Sequence, residues 1–122
     1  MTFAYWVIVF AIFLPLIWVG IAKANAPGYD NSKPRVWLAH LDGAAQRANW
    51  AQQNAYEAFP PFAAAVIIAH LNGAPQLTVD IIAGIFLAAR IAHGILYILD
   101  KSMLRSLVWL VGFGSTIALF MV

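Results

Sequence analysis

The chain has 122 residues, of which 63% are hydrophobic and 10% are charged, and its formal net charge is +2. A soluble domain has about 25% charged and about 45–50% apolar residues, and a soluble fold of this size buries too little surface to hide so much apolar side chain. The composition therefore excludes a soluble globular domain, a disordered chain and a nucleic-acid-binding protein. Because cysteine is absent, disulfides, thiolate metal sites and cysteine nucleophiles are excluded as well.

The first predicted element is an uncharged apolar run from Phe3 to Ala22. It is long enough to cross a bilayer and too long for a signal-peptide core, so we expect a retained transmembrane helix. Pro15 lies in the middle of this run and is expected to kink the helix. The next segment, 23–42, is polar, and its prolines and glycine are expected to prevent helix formation.

Three further helices are predicted after this connection. The first begins after Asp42, a good N-cap residue, and is polar at first and apolar from Phe59 to Leu71. Two more apolar segments follow, with a tight turn at residues 100–102 between them. The sequence thus predicts one all-α membrane domain over residues 1–122, a bundle of four transmembrane helices at about 3–22, 43–72, 77–99 and 103–122.

The basic residues predict the orientation of the bundle. Those outside the membrane flank only the first and third connections: Lys23, Lys33, Arg35, Arg47, Lys101 and Arg105. Because cytoplasmic loops carry an excess of Lys and Arg, both of these connections are expected in the cytoplasm and both chain ends on the outside.

Two charged residues, Glu57 and Arg90, fall within predicted spans, where charges usually mark function or pairing. Each lies ten residues from a cytoplasmic helix end, about 15 Å into the membrane, so an intramembrane ion pair is expected. Each also belongs to a stripe on one helical face. The two stripes are Arg47, Trp50, Asn54 and Glu57, and Phe86, Arg90, His93, Tyr97 and Asp100.

Facing each other, these stripes would line a polar cleft open to the cytoplasm, which favours binding of a polar or anionic ligand. The alternative is a structural staple between helices, with Asn54 as an interhelical hydrogen-bonding residue. No metal site is expected, because no histidine has a second ligand three or four residues away. Asp80 is expected to favour the start of its own helix. The tryptophans are expected in the aromatic belts at the membrane interfaces: Trp6, Trp18, Trp37, Trp50 and Trp109.

The second helix resembles the signature of the MAPEG family, the membrane-associated proteins in eicosanoid and glutathione metabolism. That signature is roughly E-R-x-x-R-A-x-x-N-x-x-E-x-x-P, and the residues that match it are Arg47, Ala51, Asn54, Glu57 and Pro60. The segment from Ala89 to Tyr97 is similar to the family's third-helix pattern A-R-x-x-Y-x-x-x-Y. The segment from Leu104 to Trp109 looks like the start of the fourth helix in the short bacterial branch.

The resemblance implies a homotrimer of four-helix subunits that binds glutathione in a cytoplasm-facing cleft between subunits. In a bacterium, such a protein would lie in the inner membrane with both termini in the periplasm. By carry-over, the residues at glutathione-contacting positions are Gln52, Asn54, Glu57, His93 and Tyr97. Arg90 matches the family's buried arginine, and Arg105 lies within one position of the arginine that stabilises the glutathione thiolate.

The sequence also departs from the family pattern. Trp50 stands where the signature has its second arginine, a ligand for the glutathione carboxylate in several enzymes, and His93 replaces a tyrosine. Gln46 replaces the first glutamate, and Ala58 replaces an aromatic contact. Two hypotheses follow: a glutathione-dependent enzyme acting on lipophilic electrophiles, or a non-catalytic lipid-binding protein or accessory subunit of a larger membrane complex. A channel or transporter is disfavoured, because there is no inverted repeat and the polar stripe stops halfway across the membrane.

Overall fold

The computed structural model of residues 1–122 contains five helices and no strand. They are α1 (Phe3–Ala24), α2 (Pro34–Ala39), α3 (Gly43–Leu71), α4 (Gln76–Ile98) and α5 (Ser102–Met121). The four long helices occupy nearly the expected segments, whereas α2 corrects the expectation that the first connection is non-helical. Pro34 begins α2 at a position where its missing N–H would have had no partner in the helix, so it starts this helix rather than preventing it.

Three of the helices, α1, α4 and α5, are long and apolar enough to cross a membrane, so the chain is a multi-pass integral membrane protein. The fourth long helix, α3, has 29 residues and a polar first half. At 1.5 Å per residue it is about 44 Å long, which exceeds the roughly 30 Å hydrocarbon core of a bilayer. It is therefore long enough to cross the core with one end outside, and its polar first half sets it apart from the three apolar helices.

The long helices run antiparallel in chain order, so the bundle has two distinct ends. At the termini end, the Thr2 hydroxyl and His70 Nε2 are 2.9 Å apart and join α1 to α3. At the basic end, Arg47 Nε donates to the carbonyl oxygen of Ile98 at 3.0 Å and joins α3 to α4. The termini half of the bundle is the half that carries the chain termini, and the basic half is the half that carries the basic connections.

Asp80 corrects another expectation, because it serves a neighbouring helix rather than its own. Its Oδ1 accepts a hydrogen bond of 2.9 Å from the backbone N–H of Ala4, in the first turn of α1. The same oxygen accepts from Gln76 Nε2 at 2.8 Å. A carboxylate at a helix N-terminus pairs a free N–H and favours the helix dipole, so Asp80 fastens the start of α1 to α4.

The buried core is uneven along the bundle. The termini half holds a cluster of 11 buried residues, in which the Phe62 and Phe86 rings stack with centroids 3.7 Å apart. The basic half holds a smaller cluster of 4 buried residues: Leu14, Trp18, Ala51 and Ala55. Trp18 is 5% exposed, so the expectation that it lies in an aromatic belt is wrong. Its indole packs so closely on Gly94 that a Cβ there would overlap the ring, which explains how α1 approaches α4.

The connection between α1 and α3 is held by its own contacts. The Trp37 indole N–H donates to the Pro27 carbonyl at 3.3 Å, and its ring meets Tyr29 edge-on. Ser32 donates to Asp30 from its hydroxyl and from its backbone N–H, and both bonds lower the pKa of Asp30. These contacts fix α2 relative to the preceding part of the same connection.

Candidate ligand cleft

Three open cavities meet at Asn54, on the face that α3 turns towards α4 and α5, and together they form what we call the cleft. Their volumes are about 180, 290 and 200 Å³, and Asn54 lines all three. The cleft is defined by Trp50, Gln53, Asn54, Glu57, Arg90, His93, Tyr97, Arg105, Ser106 and Trp109. The cleft therefore unites side chains from three helices in the basic half of the bundle.

The centre of the cleft is a hydrogen bond between two helices. Arg90 Nη2 on α4 donates to Asn54 Oδ1 on α3 at 2.6 Å, and Arg90 is only 4% exposed. The expected ion pair between Glu57 and Arg90 is wrong for the single chain, because the guanidinium bonds to the amide one turn earlier on α3. Glu57 is left exposed with no salt-bridge partner and still lines the cleft.

Arg105 lies at the mouth of the cleft, towards the basic end. Its Cζ atom is 4.2 Å from the centroid of the Tyr97 ring, a distance at which a guanidinium is attracted to an aromatic face. His93 meets the same tyrosine edge-on, with centroids 5.6 Å apart. The buried Nδ1 of His93 has no hydrogen-bond partner. The mouth of the cleft thus combines the Arg105 guanidinium, which rests on the Tyr97 ring, with a His93 nitrogen that is free to form a hydrogen bond.

Six of the seven site residues predicted from the sequence line the cleft, and the seventh does not. Asn54, Glu57, Arg90, His93, Tyr97 and Arg105 lie together around it. Gln52 instead lines a separate cavity of about 470 Å³ between α2 and α3, where its Nε2 donates to Asn49 Oδ1 at 3.0 Å. Within one chain, Gln52 therefore does not share the site predicted for it.

The third wall of the cleft comes from α5, which sequence reasoning missed apart from Arg105. Trp109 was expected in an aromatic belt, yet it lines two of the cavities, and its ring stacks on Phe113 with centroids 5.2 Å apart. Gly112 and Thr116 lie deeper in the same wall. The signal was present in the sequence, because Arg105, Trp109, Gly112 and Thr116 recur at i, i+4, i+7 and i+11 and so share one helical face.

The fold and the cleft define a multi-pass membrane protein with a polar site set among its helices. The sequence model of the MAPEG family matches residues 3–122, which is essentially the whole chain, so the chain belongs to the MAPEG family and the predicted resemblance is confirmed. This family includes glutathione transferases and peroxidases among other members. No curated protein and no solved structure matched the chain.

Proposed function

We propose that this protein is a glutathione-dependent transferase or peroxidase that acts on lipophilic electrophiles within the membrane. The active form is a homotrimer in a bacterial inner membrane, with α3 as a fourth span, the basic end in the cytoplasm and both termini in the periplasm. Glutathione enters the cleft from the cytoplasm, and the second substrate enters from the lipid.

The observation that carries the proposal is the position of Arg105 at the mouth of the cleft. Its guanidinium lies over Tyr97 and lines the same cavity as Asn54 and His93. A free cysteine thiol has a pKa of about 8.5, so most of a thiol like that of glutathione is protonated at neutral pH. A neighbouring guanidinium favours the thiolate, which is the reactive nucleophile.

Conjugation requires one bond to form and one to break. The glutathione thiol loses its proton to solvent, and the Arg105 guanidinium stabilises the resulting thiolate. The sulfur then attacks the electrophilic carbon to form a C–S bond, and a leaving group such as chloride departs with its electron pair. With a lipid hydroperoxide, two glutathione molecules give glutathione disulfide, water and the lipid alcohol.

The homotrimer is supported by polar side chains that the single chain leaves uncovered at membrane depth. Gln53, Tyr56 and Glu57 are exposed in the middle of α3. Polar and charged side chains in a span face the interior of a bundle or a water-filled cavity, because exposure to lipid is costly. Covering this face with further copies of the chain removes that cost.

A generic aryl halide tests the proposal directly. We expect the purified protein to accelerate the reaction of glutathione with 1-chloro-2,4-dinitrobenzene, measured by absorbance. Arg105→Ala should lower kcat by about tenfold or more, as expected for loss of a group that stabilises a reacting anion. The pH profile should also move to higher pH, because the thiolate then forms less readily.

The matched control is Lys101→Ala, which removes an exposed cation from the turn just before α5 and lines no part of the cleft. This variant should keep the wild-type rate and pH profile. A wild-type protein with no glutathione-dependent rate above the uncatalysed reaction would exclude the enzyme.

The second candidate function is a non-catalytic lipid-binding protein or accessory subunit of a larger membrane complex. The observation that favours it is Trp50, which is 41% exposed and tilted against Tyr97 where the family signature has an arginine. Glutathione binding separates the two candidates, because a ligand that binds only the folded state raises the melting temperature. An unchanged melting temperature together with a stable partner in a native pull-down would support the accessory role.

A further inference from the structure

The cavity of about 180 Å³ in the cleft has a polar end and a largely apolar end. The polar end, nearer the basic connections, is formed by Asn54, Glu57 and Arg90. We call the apolar end the deep pocket, and it is lined by Ala58, Pro61, Phe86, Gly112, Phe113 and Thr116. Three helices of one chain, α3, α4 and α5, build this pocket, and the thiol chemistry at the mouth of the cleft makes no use of it.

The deep pocket is continuous with the site around Arg105. Asn54 and Trp109 line both the cavity that contains Arg105 and the cavity that contains the deep pocket. Gly112 follows Arg105 by seven residues on α5, which corresponds to about 10 Å along the helix axis. A short group carried by a sulfur atom at Arg105 can therefore reach the deep pocket past the Trp109 ring.

The far end of the deep pocket is closed by the core of the termini half. Phe86 is buried, lines the pocket and stacks on the buried Phe62 with ring centroids 3.7 Å apart. On α5, the last residue to line the pocket is Thr116, which is also buried. Because these side chains belong to the packed interior, the pocket has a fixed depth, unlike a groove that continues into lipid.

Two small residues leave the space that forms the deep pocket. Ala58 on α3 stands where the family pattern has an aromatic side chain. Gly112 on α5 presents only backbone, and a Cβ there would lie 3.5 Å from Arg90 Cδ and 3.7 Å from Ala89 Cβ. The pocket therefore follows from small residues at these two positions of this chain.

The volume limits what the deep pocket can hold. An apolar cavity of about 150 Å³ stays free of water and binds one molecule of benzene. The whole cavity here, at about 180 Å³, is of similar size. The deep pocket therefore holds at most one aromatic ring or a chain of about six carbons, and it is too small for the acyl chain of a membrane lipid.

We propose that the deep pocket binds the apolar group of the electrophile while the reactive carbon faces the thiolate at Arg105. The pocket thereby selects electrophiles whose apolar group is a single ring or a short chain. This inference rests on the proposed function and specifies its second substrate. Binding gains from burial of the apolar group, by up to about fourfold for each methylene removed from water.

S-alkylglutathiones test the proposal, because they carry a chain on the sulfur atom as the conjugation product does. We expect their affinity to rise by up to about fourfold per methylene from S-methylglutathione to S-hexylglutathione. It should then level off, because a longer chain exceeds the pocket. The affinity is measured by the increase in melting temperature in one detergent. A rise that continues at the same increment to S-decylglutathione would overturn the proposal, since the chain would then lie along lipid.

Filling the pocket should remove the preference for the longer chain. Ala58→Leu adds three carbon atoms and should lower the affinity for S-hexylglutathione about tenfold or more, with little change for S-methylglutathione. The control is Ala88→Leu, which adds the same atoms at an exposed position of α4 outside the cleft and should behave like the wild type. Detergent micelles take up the alkyl chain equally in both experiments, so their effect cancels.

Two milder variants keep the test valid if Ala58→Leu does not fold. Gly112→Ala adds one methyl group that makes only ordinary contacts with α4, and it should lower the affinity for S-hexylglutathione about fourfold. Thr116→Val keeps the volume of the side chain and removes its hydroxyl, so it should retain the wild-type dependence on chain length. Loss of that dependence in Thr116→Val would show that volume is not what the pocket selects.

Turnover should follow the same size limit. After correction for the uncatalysed rates, kcat/KM should be at least about tenfold higher for benzyl chloride than for 9-(chloromethyl)anthracene, because only the single ring fits a pocket of this volume. Ala58→Leu should lower kcat/KM for benzyl chloride, whereas Ala88→Leu should not. Equal values for the two chlorides would contradict the size limit.

The outcomes distinguish this inference from the function on which it rests. A wild type that binds S-methylglutathione and S-hexylglutathione equally overturns the role of the pocket and leaves the enzyme in place. The same conclusion follows if Ala58→Leu folds and keeps the wild-type preference for S-hexylglutathione. A wild type that binds no S-alkylglutathione and has no glutathione-dependent rate overturns both.

Discussion

In the termini half, α3 and α4 meet through the stacked rings of Phe62 and Phe86, while about one to two turns away the same helices line the cleft. The termini half is fastened by Thr2, His70 and Asp80 and encloses most of the buried apolar residues. In the basic half, a few apolar residues pack behind the cleft, against α1. The comparison indicates that the termini half stabilises the bundle and thereby allows the basic half to hold an open polar site.

The largest effect is expected for a substitution in the buried core of the termini half. Phe62 is completely buried, so Phe62→Ala leaves a cavity on the order of 100 Å³, which costs about 2–3 kcal/mol in the free energy of unfolding. We expect this loss in mixed detergent micelles, because helix association in lipid depends on close packing. Phe13→Ala removes an exposed phenylalanine from α1 and should cost less than about 0.5 kcal/mol. Equal losses for the two variants would show that the core is not concentrated at the termini end.

A smaller effect is expected at the contact that supports the back of the cleft. Gly94→Ala places a methyl group on the Trp18 indole, and overpacking of this kind costs about 1–3 kcal/mol. Gly20→Ala, at a helical glycine with no atoms nearby, should be neutral or stabilising. Thermal unfolding in detergent measures both variants.

A double variant shows whether the Gly94 effect arises from Trp18. Adding Trp18→Ala to Gly94→Ala should make the alanine at position 94 nearly neutral relative to Trp18→Ala alone, because the overlapping ring is gone. A cost that persists without the indole would place the strain elsewhere in α4.

The smallest effect tests the fastening of α1 at the termini end. The Thr2 hydroxyl accepts a hydrogen bond from the Tyr5 N–H at 3.2 Å and bonds to His70. Thr2→Val keeps the shape and removes the hydroxyl, so it should cost about 1 kcal/mol, as for other N-cap losses. Hydrogen exchange of the Tyr5 amide should accelerate accordingly. Thr78→Val, at an exposed threonine of α4, is the control and should leave this exchange unchanged.

The composition and apolar periodicity of the sequence were sufficient to predict an α-helical membrane protein, because long uncharged runs leave few other ways to satisfy the backbone in lipid. The spacing of Asn54, Glu57, Arg90 and Tyr97 likewise predicted a polar cleft, since helical periodicity alone decides which residues share a face. The family followed from the same residues and was confirmed by the match over residues 3–122.

Helical periodicity could not predict which side chains contact one another between helices. Equal depth suggested that Arg90 pairs with Glu57, yet its guanidinium reaches Asn54, one turn away. Trp18 and Trp109 were both expected at membrane interfaces, but one fills the core and the other lines the cleft. Such choices depend on the rotation and separation of neighbouring helices, which no single helix specifies.

The sequence by itself determined the class of protein, the helical segments and the faces on which polar residues lie, because these follow from local composition and from the period of the helix. Only the tertiary structure decided that α5 closes the cleft and that Gln52 of the same chain lies outside it, in the cavity between α2 and α3. These features depend on how the helices are rotated against one another and on how a short helix packs, and both are set by contacts between segments far apart in the chain.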